Sequence, residues 1–301
     1  MINVVASTTS IPPALMTLLR ERCGSLQMLP GTAAEALDIT DNPNCSISQF
    51  ASVIERDVKL AADILSIANS VSFSNGNPIG SLHQAIVRLG LRQCRNLIIS
   101  SSLSALLKRV PIREESIRTL LWRHSFLTAM VALHLNRALH VGFQGEEFTA
   151  GLLHDLGRTL LAICLPDKFK QLDPLDFNED ESLIEREIAI CGTTHCEAGA
   201  WFAREHRLPE TLIEAVACHH DPTQAVRAPR LVAVTAAADH MANYLQRTGH
   251  VAGYEPESNR AIGMLEQTGL TFANDTFLHA STSIMEQAQQ DFELQLGTSH
   301  S

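Results

Sequence analysis

The sequence predicts an all-α protein built from two helical subdomains, and three observations carry that prediction. Apolar residues recur at spacings of three and four along nearly the whole chain, the period of an amphipathic helix. No run alternates apolar and polar residues with the two-residue period of a strand. Pro111 interrupts the helical pattern after Arg109-Val110 and offers a boundary between the subdomains. The 301 residues leave room for one large domain or two small ones, and a 45% hydrophobic share is ample for a core.

Ser46 is placed to cap a helix running to about residue 55, and another is expected over about 59–69. Residues 71–80, VSFSNGNPIG, combine glycine, proline and asparagine and read as a loop. Asn69-Ser70, just before it, reads as a cap or turn rather than part of a site. Ser81 caps a short helix that Gly90 ends, and a longer one covers 91–108. Beyond Pro111, residues 114–140 form a long helix whose Ile117, Leu120, Leu121, His124, Leu127 and Val131 make one apolar stripe. Residues 146–161 form the next helix, and others are expected over 182–190, 195–205, 209–218 and 229–245. On the last of these, Val232, Thr235, Ala236 and Asp239 share a face, which turns Asp239 inward. Two more helices, over about 258–267 and 283–294, complete the pattern.

Composition narrows the function classes. The 33 acidic and 23 basic residues give a net charge of −10, which argues against binding a nucleic acid polymer but not against a small anion held locally. The seven cysteines (23, 45, 94, 164, 191, 196 and 218) are odd in number and scattered, as expected of reduced thiols in a cytoplasmic protein. The N-terminal MINVVASTTSIPPALM lacks the basic and apolar regions of a signal peptide. No stretch of 18 apolar residues suggests a membrane span.

The chemistry is concentrated around Gly151-Leu-Leu-His-Asp-Leu-Gly-Arg158, where a nitrogen and an oxygen ligand, His154 and Asp155, sit side by side in an apolar helical segment. An ionised carboxylate is costly to bury without a compensating charge. His124 precedes the pair, and His195, His219, His220 and Asp239 follow it. Neutral imidazoles with a few carboxylates suit two divalent ions and an activated water between them. In that reading Asp155 bridges, His124, His154 and Asp239 serve one ion, and His195, His219 and His220 serve the other. The donor set suits iron, manganese or zinc. Arg158, one turn after His154, could offer two N–H groups to a phosphate. Taken singly these residues have ordinary explanations: a hydrogen-bonded core histidine at His124, a helix end at His219-His220, a helix start at His195, a salt bridge at Arg158. Cys191 and Cys196 flank His195, but the second cysteine pair of a thiolate zinc site is missing.

The order of these residues resembles the HD superfamily of metal-dependent phosphohydrolases, from His124 through HDLG to THCEAGAW, ACHHDP and AAADHMA. Their spacing is similar to that of the two-metal branch that includes the HD-GYP cyclic-dinucleotide phosphodiesterases. Three departures stand out: the Gly-Tyr-Pro element is absent after His220-Asp221, Arg158 replaces the branch's usual lysine, and Leu120 stands where a third metal would need an acid. The N-terminal half points within the superfamily. Leu29-Pro30, Ile54-Glu-Arg-Asp-Val-Lys-Leu60, Ile67-Ala-Asn-Ser70 and Gln84-Ala-Ile-Val-Arg-Leu-Gly90, with Trp122-Arg-His124, HDLGR and the segment 192–201, resemble the HDOD output domain. Val58 departs from the proline usual there.

The resemblance implies a bacterial signalling or regulatory module whose C-terminal subdomain is an HD-type helical bundle. Many relatives have an incomplete metal constellation, whereas this chain keeps every residue that two ions require. The resulting division is an N-terminal extension (1–21), an HDOD-specific helical subdomain (22–112), an HD-like metal-site subdomain (113–247) and a C-terminal helical extension (248–301). Three readings remain open at this point. The first is a signalling module that binds a protein partner or a small phosphorylated ligand. The second is a metal-dependent phosphohydrolase using Asp155 and Arg158. The third is a metal-free scaffold whose histidines form a buried polar network.

Overall fold

The computed structural model describes residues 11–26, 29, 31–40, 42, 45–69, 78–178 and 182–297. Every regular element among them is a helix, in agreement with the expected all-α class. The first six helices are α1 (Pro13–Cys23), α2 (Gly31–Thr40), α3 (Ile47–Ile54), α4 (Val58–Ala68), α5 (Leu82–Leu89) and α6 (Leu91–Leu107). There follow α7 (Glu115–Ala138), α8 (Glu146–Leu153), α9 (Leu156–Cys164), α10 (Phe169–Leu172) and α11 (Ser182–Cys191). The last five are α12 (His195–Glu205), α13 (Glu210–Cys218), α14 (Pro229–Thr248), α15 (Ala261–Gln267) and α16 (Ala273–Gly297). No helix among the described residues is long and apolar enough to cross a membrane.

Local chemistry explains most of the boundaries. Ser46 and Gln49 form a capping box at α3. Asp57 caps α4 by accepting from the amides of Lys59 and Leu60. Ser81 caps α5, and Gly90, at φ +81°, ends it where a side chain would be strained. Asn69 holds the returning chain by hydrogen bonds in both directions with the Ile79 backbone, at 2.9 and 2.7 Å. Ser70 and residues 71–77 of the expected loop lie outside the described residues, as does Pro30.

Three helices have no counterpart in the expected pattern: α1, α2 and the short α10. Proline at the start of α1 is favourable, because the first turn needs no amide donor there. Leu15, Leu19 and Cys23 bury one face of this helix. Arg22 donates to the carbonyls of Ile163 and Cys164 at 3.3 and 3.2 Å, satisfying the C-terminal end of α9. Near the other end of the chain, α16 begins at Ala273, well before the expected 283.

Two apolar cores lie side by side. The larger takes Leu19, Phe50, Ile54, Ile86 and Ile99 from one side of Pro111 and Leu160, Phe202 and Val216 from the other. The smaller joins Val131 and Leu135 of α7 to Ala238 and Met241 of α14, Leu265 of α15, and Phe277 and Met285 of α16. Helices α7 and α14 contribute to both cores. They also carry His124 and Asp239, which places these polar residues between two dry regions.

The single helix expected over 146–161 is two helices. The break falls at Asp155, whose φ of −97° and ψ of 15° leave the helical region. In an unbroken helix, adjacent residues point about 100° apart around the axis. The break lets His154 and Asp155 face the same point.

Candidate metal centre

That point is where the expected ligands meet. His124 comes from the middle of α7, His154 and Asp155 from the α8–α9 break, and His195 from the first residue of α12. His219 and His220 follow the last residue of α13, and Asp239 comes from α14. Two glycines permit the approach. A Cβ at Gly151 would lie 2.8 Å from the Ala129 Cα, so glycine lets α8 sit against α7 and brings His154 to His124. A Cβ at Gly157 would lie 1.8 Å from the His195 carbonyl oxygen, so glycine also sets how closely α9 meets the start of α12.

The donors divide into two groups. In the first, the Nε2 atoms of His124 and His154 are 3.2 Å apart. Asp239 Oδ1 lies 3.0 and 3.3 Å from them, and Asp155 Oδ2 lies 3.4 and 3.5 Å away. In the second, His195 Nε2 is 3.3 Å from His219 Nε2 and 3.1 Å from His220 Nε2. Asp155 Oδ1 completes that group at 3.4 Å from His195 and 3.6 Å from His219. Bonds of about 2.1 Å to one ion put neighbouring donors about 3.0 Å apart in an octahedron and about 3.4 Å apart in a tetrahedron. The observed separations fall at those edges, and the two oxygens of Asp155 serve different groups.

The hydrogen bonds explain why the nitrogens face inward. His154 Nδ1 donates to the Gly151 carbonyl at 2.7 Å and His219 Nδ1 to the Val216 carbonyl at 2.9 Å. A carbonyl only accepts, so the proton of each neutral ring is fixed on Nδ1 and Nε2 presents a bare lone pair. His195 Nδ1 is held by Glu187 at 2.9 Å, and the same carboxylate accepts the His195 amide. Carboxylate and carbonyl partners of this kind orient metal-binding imidazoles. His124 is set differently: its ring lies against Phe177, and its Nδ1 has no hydrogen-bond partner among the described residues. Asp155 Oδ1 is likewise buried without a hydrogen-bond donor there. Facing lone pairs and an orphaned carboxylate oxygen require positive charge between them, from protons or from metal ions. The residues therefore fit a metal pair.

The electrostatics agree. Burial opposes ionisation of Asp155, but Arg158 and the surrounding imidazoles outweigh it and hold its carboxyl well below the usual range. Asp239 behaves alike, with His154 and His124 overcoming the effect of burial. Burial disfavours charge on His195 and His219 too, yet the adjacent Cys196 sulfur, with Glu187 and Asp155 respectively, pushes both well above the usual histidine range. His220 moves the other way, lowered by burial and by its two histidine neighbours.

Arg158 does not take the phosphate-facing place expected of it. Its side chain is 1% exposed. Nη1 donates to Asp155 Oδ2 at 2.7 Å, while Nε and Nη2 donate to the two oxygens of Asp173 at 2.7 and 3.0 Å. A buried fork held between two carboxylates positions Asp155. Glu187 and Asp173 were not singled out from the sequence, because spacing does not reveal which acids face inward. Cys196, which lacks the partner cysteine pair of a thiolate zinc site, places its Sγ 3.5 Å from His195 Nε2.

One side of the centre opens into a cleft of about 490 Å³. Asp239, His219 and His220 line its inner end, and Asn243, Arg247 and Tyr254 line its wall. Asn243 donates to Asp239 Oδ1 at 3.0 Å, and its own Oδ1 is buried without a partner among the described residues.

An all-α fold with histidines and aspartates from several helices gathered around the break between α8 and α9 defines an HD-type protein. The chain matches the HDOD domain family model over residues 26–222. It belongs to the HDOD family, a relative of the HD superfamily. An uncharacterised protein of Treponema pallidum (strain Nichols) is 26% identical over 223 residues, 73% of this chain. The chain spans 42% of that protein's length. An HDOD domain protein of unknown function from Geobacter sulfurreducens superposes with a TM-score of 0.67 at 23% identity, covering 92% of this chain and 96% of its own. A Shewanella amazonensis protein described as a candidate phosphohydrolase gives 0.64 at 22%, covering 92% and 98%. These likenesses establish the fold.

Proposed function

We propose that this protein is a bacterial HDOD signalling module whose HD-type centre holds two divalent transition-metal ions bridged by Asp155. The observation that carries the reading is the division of that carboxylate: each oxygen faces its own set of inward-pointing Nε2 atoms, and Oδ1 has no hydrogen-bond partner among the described residues. His124, His154 and Asp239 would hold one ion; His195, His219 and His220 would hold the other. Arg158, Glu187 and Asn243 position Asp155, His195 and Asp239 respectively. The seven free thiols fit a reducing, cytoplasmic setting. The cleft favours a small phosphorylated ligand, and a signalling protein remains the other partner class.

Metal analysis of purified protein tests this directly. Two ions per chain are expected, with loss from the first position in His154→Ala and from both in Asp155→Ala. Protein prepared both aerobically and anaerobically with no bound transition metal would remove the basis of the proposal.

The cleft also supports a second reading, a metal-dependent phosphohydrolase, in line with the description carried by the Shewanella neighbour. Ions bound here would polarise a phosphoester and activate water toward it. The chain's own contribution would be the cleft wall, with Arg247 as a cation and Asn243 offering an acceptor that has no partner among the described residues. A phosphodiesterase and nucleotidase panel with added manganese or iron decides this. Turnover that disappears in Asp155→Ala supports hydrolysis, and turnover that survives there lies outside this site.

A further inference from the structure

Cys196 lies beside the second donor group. It occupies the second residue of α12, directly after His195. The start of that helix is fixed by a capping box between Thr194 and Glu197, which sets the direction of both side chains. Cys196 is 6% exposed. Its sulfur is 3.5 Å from His195 Nε2 and 4.0 Å from His219 Nδ1. Donor atoms of His195, Cys196, His219 and His220 all lie within 4.8 Å of one another.

The other cysteines are engaged differently where contacts are described. Cys191 donates to the Glu187 and Thr193 carbonyls. Cys23 and Cys164 face each other at 3.7 Å, and Cys45 turns to the Ser46 carbonyl. With bonds of about 2.3 Å to sulfur and about 2.1 Å to nitrogen, neighbouring donors at about 90–120° on one ion are about 3.1–3.8 Å apart. The Cys196–His195 separation falls within that range. A helix N-terminus also favours negative charge on a thiolate.

We propose that Cys196 is a ligand of the second ion, making that position a three-imidazole, one-thiolate site beside the bridging Asp155. This rests on the two-ion reading and adds a chemical difference between its halves. The thiol releases its proton to solvent as the ion binds. The first position offers two imidazoles and carboxylate oxygens. The second, softened by sulfur, selects zinc or iron(II) over manganese.

Cobalt(II) titration of the metal-free chain, followed by absorption and metal analysis, tests the proposal. The expected result is a near-ultraviolet thiolate-to-cobalt charge-transfer band as the second position fills. The band is lost in Cys196→Ser, which still binds cobalt, and is kept in Cys191→Ser. X-ray absorption of the zinc-loaded wild type gives a check that needs no variant, with one sulfur scatterer at about 2.3 Å expected. Cobalt binding at two per chain without the band, or a band that persists in Cys196→Ser, overturns the ligand assignment and leaves the two-ion reading intact. No cobalt binding at all overturns both.

Discussion

The two halves of the centre share one carboxylate but are built in different ways. The first is assembled across the bundle: His124 on α7, His154 at the end of α8 and Asp239 on α14 come from three helices. The second is local, with His195 opening α12 and His219-His220 closing α13. Their supports differ as well. Glu187 grips His195 at both its amide and its ring, whereas the Nδ1 of His124 has no hydrogen-bond partner among the described residues. The comparison teaches that the bridge, and not either histidine set, couples the halves. Arg158 and Asp173 hold that bridge.

The largest effect should therefore come from the shared element. Arg158→Ala leaves the Asp155 and Asp173 carboxylates buried beside a lost counterion. Breaking such a buried pair costs about 3–5 kcal/mol, which urea unfolding would register, and metal content should fall at both positions. Loss from one position alone would show that the halves are independent.

The two glycines separate the halves further. Gly157→Ala drives a methyl into the His195 carbonyl and should cost about 1–3 kcal/mol while depleting the second position first. Gly151→Ala presses on α7 at Ala129 and should deplete the first. Metal competition with a chromogenic chelator reads the order of loss, and identical orders in the two variants would break the distinction.

A smaller change is expected from Glu187→Gln, which keeps the shape but weakens the hold on His195 Nδ1. Affinity at the second position should drop by about 10–100-fold, with the first unchanged. Isothermal titration with zinc resolves the two steps.

Acid provides the last test. Asp155 and Asp239 are held well below their ordinary value of 3.8. A depressed carboxyl contributes stability that is present above its unfolded-state pKa and is lost as pH falls toward the folded one. The metal-free chain should keep this contribution from about pH 7 to about pH 5 and lose it progressively as pH falls below 3.8 toward the depressed folded values. Asp239→Asn should flatten the loss, and a slope unchanged in that variant would remove the first half from the account.

Much of the centre is legible in the sequence, because inward histidines and aspartates at helical spacing are costly without a common purpose. His124 on its apolar stripe and Asp239 on its inward face are of this kind. Arg158 was legible as a charged residue one turn from His154, but its direction was not. Its guanidinium lies between Asp155 and Asp173, and Asp173 lies fifteen residues further along the chain. Cys196 was visible beside His195, yet its exclusion rested on a missing cysteine pair that a mixed histidine and sulfur site does not need.

By itself the sequence determined the all-α class, most helix starts and the histidines and aspartates that meet around Asp155. These follow from local physics: periodic burial, side-chain caps and the cost of a buried charge. Only the tertiary structure decided the break at Asp155, the docking of α1 on α9 and the division of one carboxylate between two donor groups. Those features depend on approaches between segments far apart in the chain, such as the contact of Gly157 with His195. A one-dimensional pattern carries no term for such distances.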